Sequence, residues 1–180
     1  WKCEGRSGMI DTQIIGAYNF ENILSAICIG NYFGVEAKLI DEAIAEYVSD
    51  NSRSQLIKKG SNSIVLDAYN ANPTSMEAAL QNFSKVEAGN KVICIGDMAE
   101  LGEESDKEHE RIIQLIRSIH YKTLILVGKN FGKFATTISC LHFENSDAAA
   151  AYVKEHPLNN AFILIKGSRS SRMEKVLEAL

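Results

Sequence analysis

Residues 53–180 predict an α/β fold: a mostly parallel sheet with helices on both faces. Three observations carry that expectation. From Arg53 onward, short apolar runs alternate with helical patterns, strand then helix, down to the last residue. The runs are apolar almost without interruption, as in Val92-Ile93-Cys94-Ile95, which implies burial on both faces and hence parallel pairing. Several runs also end in a polar turn that opens directly into a helix, the place where parallel sheets gather ligand groups. With 180 residues and 46% apolar content, the chain has room for one domain of ordinary size plus an appendage.

Taken in order, residues 1–17 are Gly-rich and weakly patterned, with one strand-like run at 12–15. A helix pattern over 19–32 places Ile23, Ala26, Ile27 and Gly30 at helical spacing. A second, over 36–48, sets Leu39, Ile40, Ala43, Ile44 and Tyr47 on one face. Asp50-Asn51-Ser52 is polar and turn-forming, so the expected division is 1–52, mainly helical, and 53–180, the sheet domain. Strands are expected at 55–57, 63–66, 91–95, 123–127, 140–143 and 161–165, and helices at 73–86, 106–119, 131–138, 146–155 and 172–180. The connection between the first two strands is too short for a helical crossover, so one of them runs antiparallel. Asn72 suits a helix cap, with Pro73 at the first helical position. Ser105 with Glu108, and Ser171 with Glu174, have capping-box spacing.

Three loops at strand ends hold the candidate chemistry: Asp67-Ala68-Tyr69-Asn70-Ala71-Asn72-Pro73, Gly96-Asp97-Met98-Ala99-Glu100-Leu101-Gly102, and Lys166-Gly167-Ser168-Arg169-Ser170. In a parallel sheet they share one edge. Each also has a plain reading. Asp67 is an ordinary cap, Gly96-Asp97 is turn chemistry, and Lys166 and Arg169 are solvated charges. Positive charge beside a helix N-terminus is, however, relieved by a bound anion, which favours an anionic ligand at the third loop.

Other chemistries are disfavoured. Gly128-Lys129-Asn130-Phe131-Gly132-Lys133-Phe134 is one residue too short for a phosphate loop and puts Phe134 where Ser or Thr belongs. His109, His120, His142 and His156 lack paired metal spacing, and no metal ligand is assigned. His109 reads as a surface or half-buried histidine. A net charge of −4 with mixed signs gives no nucleic-acid or anionic-membrane surface. Cys3, Cys28, Cys94 and Cys140 form no C-x-x-C, and Cys28 and Cys94 read as reduced core residues of a cytoplasmic protein. No apolar run reaches the ~20 residues of a membrane span. The first residue is Trp1, not Met, and the chain reads as a piece of something longer.

Read together, the three loops, with His109 and Met173-Glu174, resemble signatures of the Mur ligases. Within that family the similarity is to the branch that adds D-alanyl-D-alanine to UDP-N-acetylmuramoyl-tripeptide. Gly16-Ala17-Tyr18-Asn19-Phe20-Glu21-Asn22 resembles the family's G-x-H-N-x-x-N stretch, with Tyr18 in place of His. The resemblance implies a Rossmann-like C-terminal domain at 53–180, preceded by the tail of the central ATPase domain at 1–52. It implies ATP contacts at Asn22, Arg53 and Asp67, the last two toward phosphates and ribose. Together with their position at the sheet edge, the resemblance implies that Asn70, Asn72, Ser168 and Arg169 help seat the incoming D-Ala-D-Ala or orient the intermediate. Catalytic residues, the phosphate loop and the Mg2+ ligands would lie upstream, in the missing central domain, and the UDP-sugar would bind a further missing domain. Two alternatives stay open: another Mur or folylpolyglutamate-type amino-acid ligase, and a non-catalytic receiver-like α/β module in which Asp67 and Asp97 form an acidic cluster.

Overall fold

The computed structural model describes residues 1–3, 5–14, 16, 19–48 and 54–180. The chain divides into two compact units, Trp1–Asp50 and Asn51–Leu180. In the first, β1 (Lys2–Cys3) and β2 (Arg6–Ser7) pair antiparallel, and α1 (Phe20–Tyr32) and α2 (Ala37–Glu46) follow. Its core is Ile27, Ile40 and Ile44, against which Trp1, Ile10 and Ile23 pack. The indole of Trp1 donates to Asp41 Oδ1 at 2.6 Å. A Cβ at Gly30 would lie 3.0 Å from the Ile40 side chain, so the glycine lets α1 close on α2.

Several expectations for this unit are corrected. Residues 12–14 are not a strand, and the short ladder lies earlier, at β1 and β2. Cys28 is exposed, because it sits one position, about 100°, round the helix from the buried Ile27. Of the expected face of α2 only Ile40 and Ile44 are buried, while Leu39, Ala43 and Tyr47 are exposed. Within this unit the helix meets its neighbour along one narrow i, i+4 stripe.

The second unit opens with a hairpin, β3 (Gln55–Lys59) and β4 (Asn62–Asp67), turned by Gly60-Ser61 with Gly60 at φ 57°. It continues with α3 (Pro73–Ser84), β5 (Lys91–Gly96), α4 (Ser105–Arg117), β6 (Thr123–Val127), α5 (Lys129–Gly132), β7 (Leu141–Phe143), α6 (Ser146–Glu155), β8 (Phe162–Lys166) and α7 (Glu174–Ala179). The strand order is β3-β4-β8-β5-β6-β7. Among the described strands of this sheet only β3 with β4 pairs antiparallel, as their short connection required.

Alternation along the inner strands splits the core into two layers. Ile93, Ile95, Leu124, Leu126 and Leu164 face α3 and α4 through Met76, Leu80, Phe83, Ile112, Ile113 and Ile116. Val92, Cys94, Ile125, Val127, Ile163 and Ile165 face α6 and α7 through Ala149, Val153 and Val176. Burial pushes the Cys94 thiol up to about 12, so it stays protonated as a core residue.

Helix boundaries needed tertiary contacts. The helix expected at 131–138 is one four-residue turn plus a 3-10 turn at Ala135–Thr137. Its start moves upstream because the Asp97 carboxylate caps it from another loop. The last helix starts at Glu174, not 172, since Arg172 is left-handed at φ 49°. Neither Ser/Glu capping box forms. Ser105 lies inside α4, after a 3-10 turn at Gly102–Glu104, and Ser171 Oγ donates to Ser168 C=O at 2.7 Å. The box that forms is at α3, where Asn72 Oδ1 accepts from Ser75 N–H at 2.8 Å and Ser75 Oγ accepts from Asn72 N–H at 3.2 Å. Among the described residues no helix is long and apolar enough to cross a membrane.

Asn72→Ala is expected to lower unfolding free energy by about 1 kcal/mol in urea titrations, with an unchanged m-value. Loss below about 0.3 kcal/mol would show that the cap contributes nothing.

Candidate active site

The three polar loops follow three neighbouring parallel strands, β4, β8 and β5. The register pairs Asp67 with Lys166 across β4–β8, and Ile95 with Lys166 across β8–β5. The loops at 67–72, 97–102 and 167–172 therefore leave the sheet side by side.

Lys166 is at the centre and is not a solvated charge: it is 1% exposed. Its Nζ donates to Asp67 Oδ2 at 2.5 Å and to Asn70 C=O at 3.2 Å. The carboxylate neutralises the ammonium, and the bonds reward the register that sets them opposite each other. This removes Lys166 from the expected anion-binding charge at the third loop and leaves Arg169 there. Arg169 is exposed, with its guanidinium over the Tyr69 ring at 5.9 Å from the centroid.

Ser168 ties the third loop to the second. Its Oγ and its N–H both donate to Asp97 C=O, at 2.6 and 3.2 Å. The two loops touch because Gly96 and Gly167 lack side chains; a Cβ at Gly167 would lie 3.3 Å from Gly96 Cα, and one at Gly96 would lie 2.7 Å from Met173 Sδ. The Asp97 carboxylate accepts from the Asn130 and Phe131 N–H groups, each at 2.9 Å. Those amides, the ones a phosphate loop would have needed, are thus already satisfied.

His109 is fully buried, unlike the surface or half-buried residue expected. Its Nε2 accepts from Met98 N–H at 3.1 Å, and its Nδ1–H donates to Ser105 C=O at 2.7 Å. An amide donor on one nitrogen and a carbonyl on the other define the Nδ1-protonated tautomer. The ring packs edge-on against Phe131 at 4.6 Å, so one side chain joins the second loop, α4 and α5.

The loops enclose a cleft lined by Asn70, Glu100, Ser168, Arg169, Arg172 and Glu174, together with Ala99 and Ser170. A second depression, with Asp97, Asp106, Asn130 and Lys133 in its wall, shares Ala99, Glu100 and Ser170 with it. Of the expected site residues, Asn70, Ser168 and Arg169 meet in the first cleft, and Asp67 lies just beneath through Lys166. Asn72 does not line it, and its Oδ1 is held by the α3 cap. Asn22 belongs to the other unit, in the exposed first turn of α1, where its Nδ2 donates to Asn19 Oδ1 at 2.9 Å. Asn19 stands at the N-cap position of α1 without a side-chain capping bond. Arg53 and Tyr18 lie outside the described residues. Sequence reasoning missed the contributions of Lys166, Glu100, Arg172 and His109. For Lys166 a signal was present: it directly continues a buried apolar run. The receiver-like alternative finds no acidic cluster: Asp67 is bound by Lys166 and the Asp97 carboxylate by backbone amides, and among the described residues no third acidic group gathers with them. Among the described residues no three His, Cys, Asp or Glu side chains gather as a metal site.

The family model described as "Mur ligase, glutamate ligase domain" matches residues 52–169. The chain belongs to the Mur ligase family. This Mur ligase chain is 33% identical to the UDP-N-acetylmuramoyl-tripeptide--D-alanyl-D-alanine ligase of Bacillus subtilis, over 93% of its own length and 38% of that protein's. The chain thus spans less than half of the relative it matches. Among solved structures it is similar to MurF from Acinetobacter baumannii, with TM-score 0.80, 26% identity, and coverage of 94% of this chain and 39% of that one. MurF ligase from Thermotoga maritima, in complex with ADP, shares the fold with TM-score 0.76 and 22% identity, over 92% of this chain and 38% of that one.

The buried ion pair gives a stability prediction for this Mur ligase chain. Asp67→Asn leaves the Lys166 ammonium buried without its counter-charge and is expected to destabilise by about 3–5 kcal/mol. The double change Asp67→Asn with Lys166→Met removes that charge and is expected to recover most of the loss. Equal denaturation midpoints for wild type and Asp67→Asn would show that the pair does not hold the edge together.

Proposed function

We propose that this chain is the acceptor-binding end of an ATP-dependent amide ligase that joins D-alanyl-D-alanine to UDP-N-acetylmuramoyl-tripeptide in peptidoglycan precursor synthesis. The curated Bacillus subtilis relative carries that name, and the Thermotoga maritima neighbour binds ADP. The observation that carries the reading is the cleft itself. Loops from three adjacent strands converge on it, and Arg169 stands at its wall, braced on Tyr69.

In this reading residues 1–52 are the tail of the central ATPase domain and 53–180 the C-terminal domain. The tripeptide carboxylate is first activated by ATP as an acyl phosphate. That transfer yields ADP; the dipeptide nitrogen, as the neutral amine, then attacks the acyl carbon, the C–N bond forms as the acyl C–O bond breaks, the nitrogen gives up a proton, and inorganic phosphate leaves. Arg169 suits the dipeptide carboxylate because a guanidinium offers paired donors to two oxygens. Asn70 adds an amide at the same wall. Ser168, buried and bonded to Asp97, holds the third loop in place and lines the cleft. Asn72, outside the cleft, serves by capping α3 and so fixing where the first loop ends.

Asn22, Arg53 and Asp67 are the proposed nucleotide contacts. Asp67 Oδ2 is engaged by Lys166, so a ribose diol would bond to the other carboxylate oxygen. Closure of the domains over the acyl phosphate would exclude water that otherwise hydrolyses it. The sequence contains no G-x-x-x-x-G-K-[ST] loop, so the triphosphate and Mg2+ would be held elsewhere in the ligase. A reaction fed by ATP is proposed for the cytoplasm.

In the complete ligase, Arg169→Ala is expected to raise the KM for D-Ala-D-Ala by about 10–100-fold, the loss of a charge-assisted contact, with the KM for ATP within about twofold. Unchanged dipeptide kinetics would remove Arg169 from the site. The 180-residue chain by itself is expected to show no ATP hydrolysis or ligation, and turnover from it would overturn the domain reading.

A further inference from the structure

We infer that Glu100 is the residue that takes the ammonium end of the incoming dipeptide, which makes it a specificity determinant for a free amine; this rests on the reading of the cleft given above. The cleft carries charges of both signs, Glu100 and Glu174 with Arg169 and Arg172. Among the described residues none of the four is in an ion pair. Opposite charges that share a cleft without satisfying one another complement a ligand that carries both. A dipeptide with a free amine and a free carboxylate is such a ligand.

Backbone conformation singles out Glu100 of the two carboxylates. It sits at φ 62°, a left-handed conformation that an L side chain adopts at a cost and that Gly would adopt freely. Its exposed carboxylate makes no hydrogen bond within the described residues, so no intramolecular contact of that group accounts for a Glu at this position. The conformation is held from both sides. Asp97 N–H bonds to Val127 C=O at 3.0 Å and Met98 N–H to the buried His109 at 3.1 Å; beyond Glu100, Glu104 N–H bonds to Leu101 C=O at 3.1 Å. A strained residue kept by its surroundings, with its polar group left for something else, marks a ligand contact. Glu174 instead lies part-buried in the first turn of α7. With Arg169 reading the carboxylate, Glu100 sets the amine end on the second loop, and the dipeptide gains a direction.

The test compares two probes in the complete ligase: D-Ala-D-Ala, and propionyl-D-alanine, which replaces the amine by hydrogen. Affinities are read as inhibition constants in competition, or by calorimetry. Wild type is expected to prefer the amine by about tenfold or more, a charge-assisted contact. Glu100→Gln is expected to cut that preference to less than about threefold, with propionyl-D-alanine affinity unchanged. Glu100→Gly, free of the left-handed strain, is expected to melt at a higher temperature and still to lose the preference. A preference retained in full by Glu100→Gln overturns the assignment. Arg169→Ala separates the two failures. If it weakens both probes while Glu100→Gln weakens neither, only Glu100 is misassigned. If neither variant affects either probe, the cleft is not the dipeptide site.

Discussion

The C-terminal edge of the sheet depends on one buried cation. Lys166 ends β8 between β4 and β5, and its ammonium is enclosed by protein. A lone charge there would be strongly disfavoured, so the structure holds only with Asp67 opposite it and the Asn70 carbonyl beside it. The same bonds define where the first loop leaves β4. The shape of the cleft wall is thus a by-product of neutralising a lysine.

The second loop is held by buried and half-buried groups, of which Ser168 also lines the cleft. His109 accepts the Met98 amide, Asp97 caps α5, and Ser168 bonds to the Asp97 carbonyl. These contacts lie beneath the surface and leave Glu100, Arg169 and Arg172 above it. Such a division suits a binding site, where side chains that meet ligand are best held by neighbours that do not. It also separates two kinds of motif residue. Ser168 and His109 act through the loops they hold, whereas Arg169 and Glu100 face the cleft.

Much of the second unit was legible from pattern. Near-continuous apolar runs marked the inner strands, and 123–127 coincides with β6. The short link after 57 marked the antiparallel edge pair, and Asn72-Pro73 marked the start of α3. The first unit was less legible. Periodicity identified both helices but overstated their buried faces, because a helical stripe is buried only where another element covers it, and α1 with α2 covers Ile27, Ile40 and Ile44. At the third loop neither reading of Lys166, as a solvated charge or as a charge for a bound anion, includes its neighbour in space, a carboxylate 99 positions away in the chain.

By itself the sequence determined the alternation of strand and helix, the parallel character of the sheet and the three polar corners, since these follow from local pattern and from the requirement that apolar strands be covered on both faces. Tertiary structure alone decided which of those polar groups face the cleft and which are consumed inside. Asp97, Lys166, His109 and Ser168 look as reactive on paper as Arg169 and Glu100. Strand order, with β8 inserted between β4 and β5, brings Lys166 to Asp67 and Ser168 to Asp97, while β6 beside β5 brings the Asp97 carboxylate to the α5 amides; among the described residues Arg169 and Glu100 are left outside any ion pair.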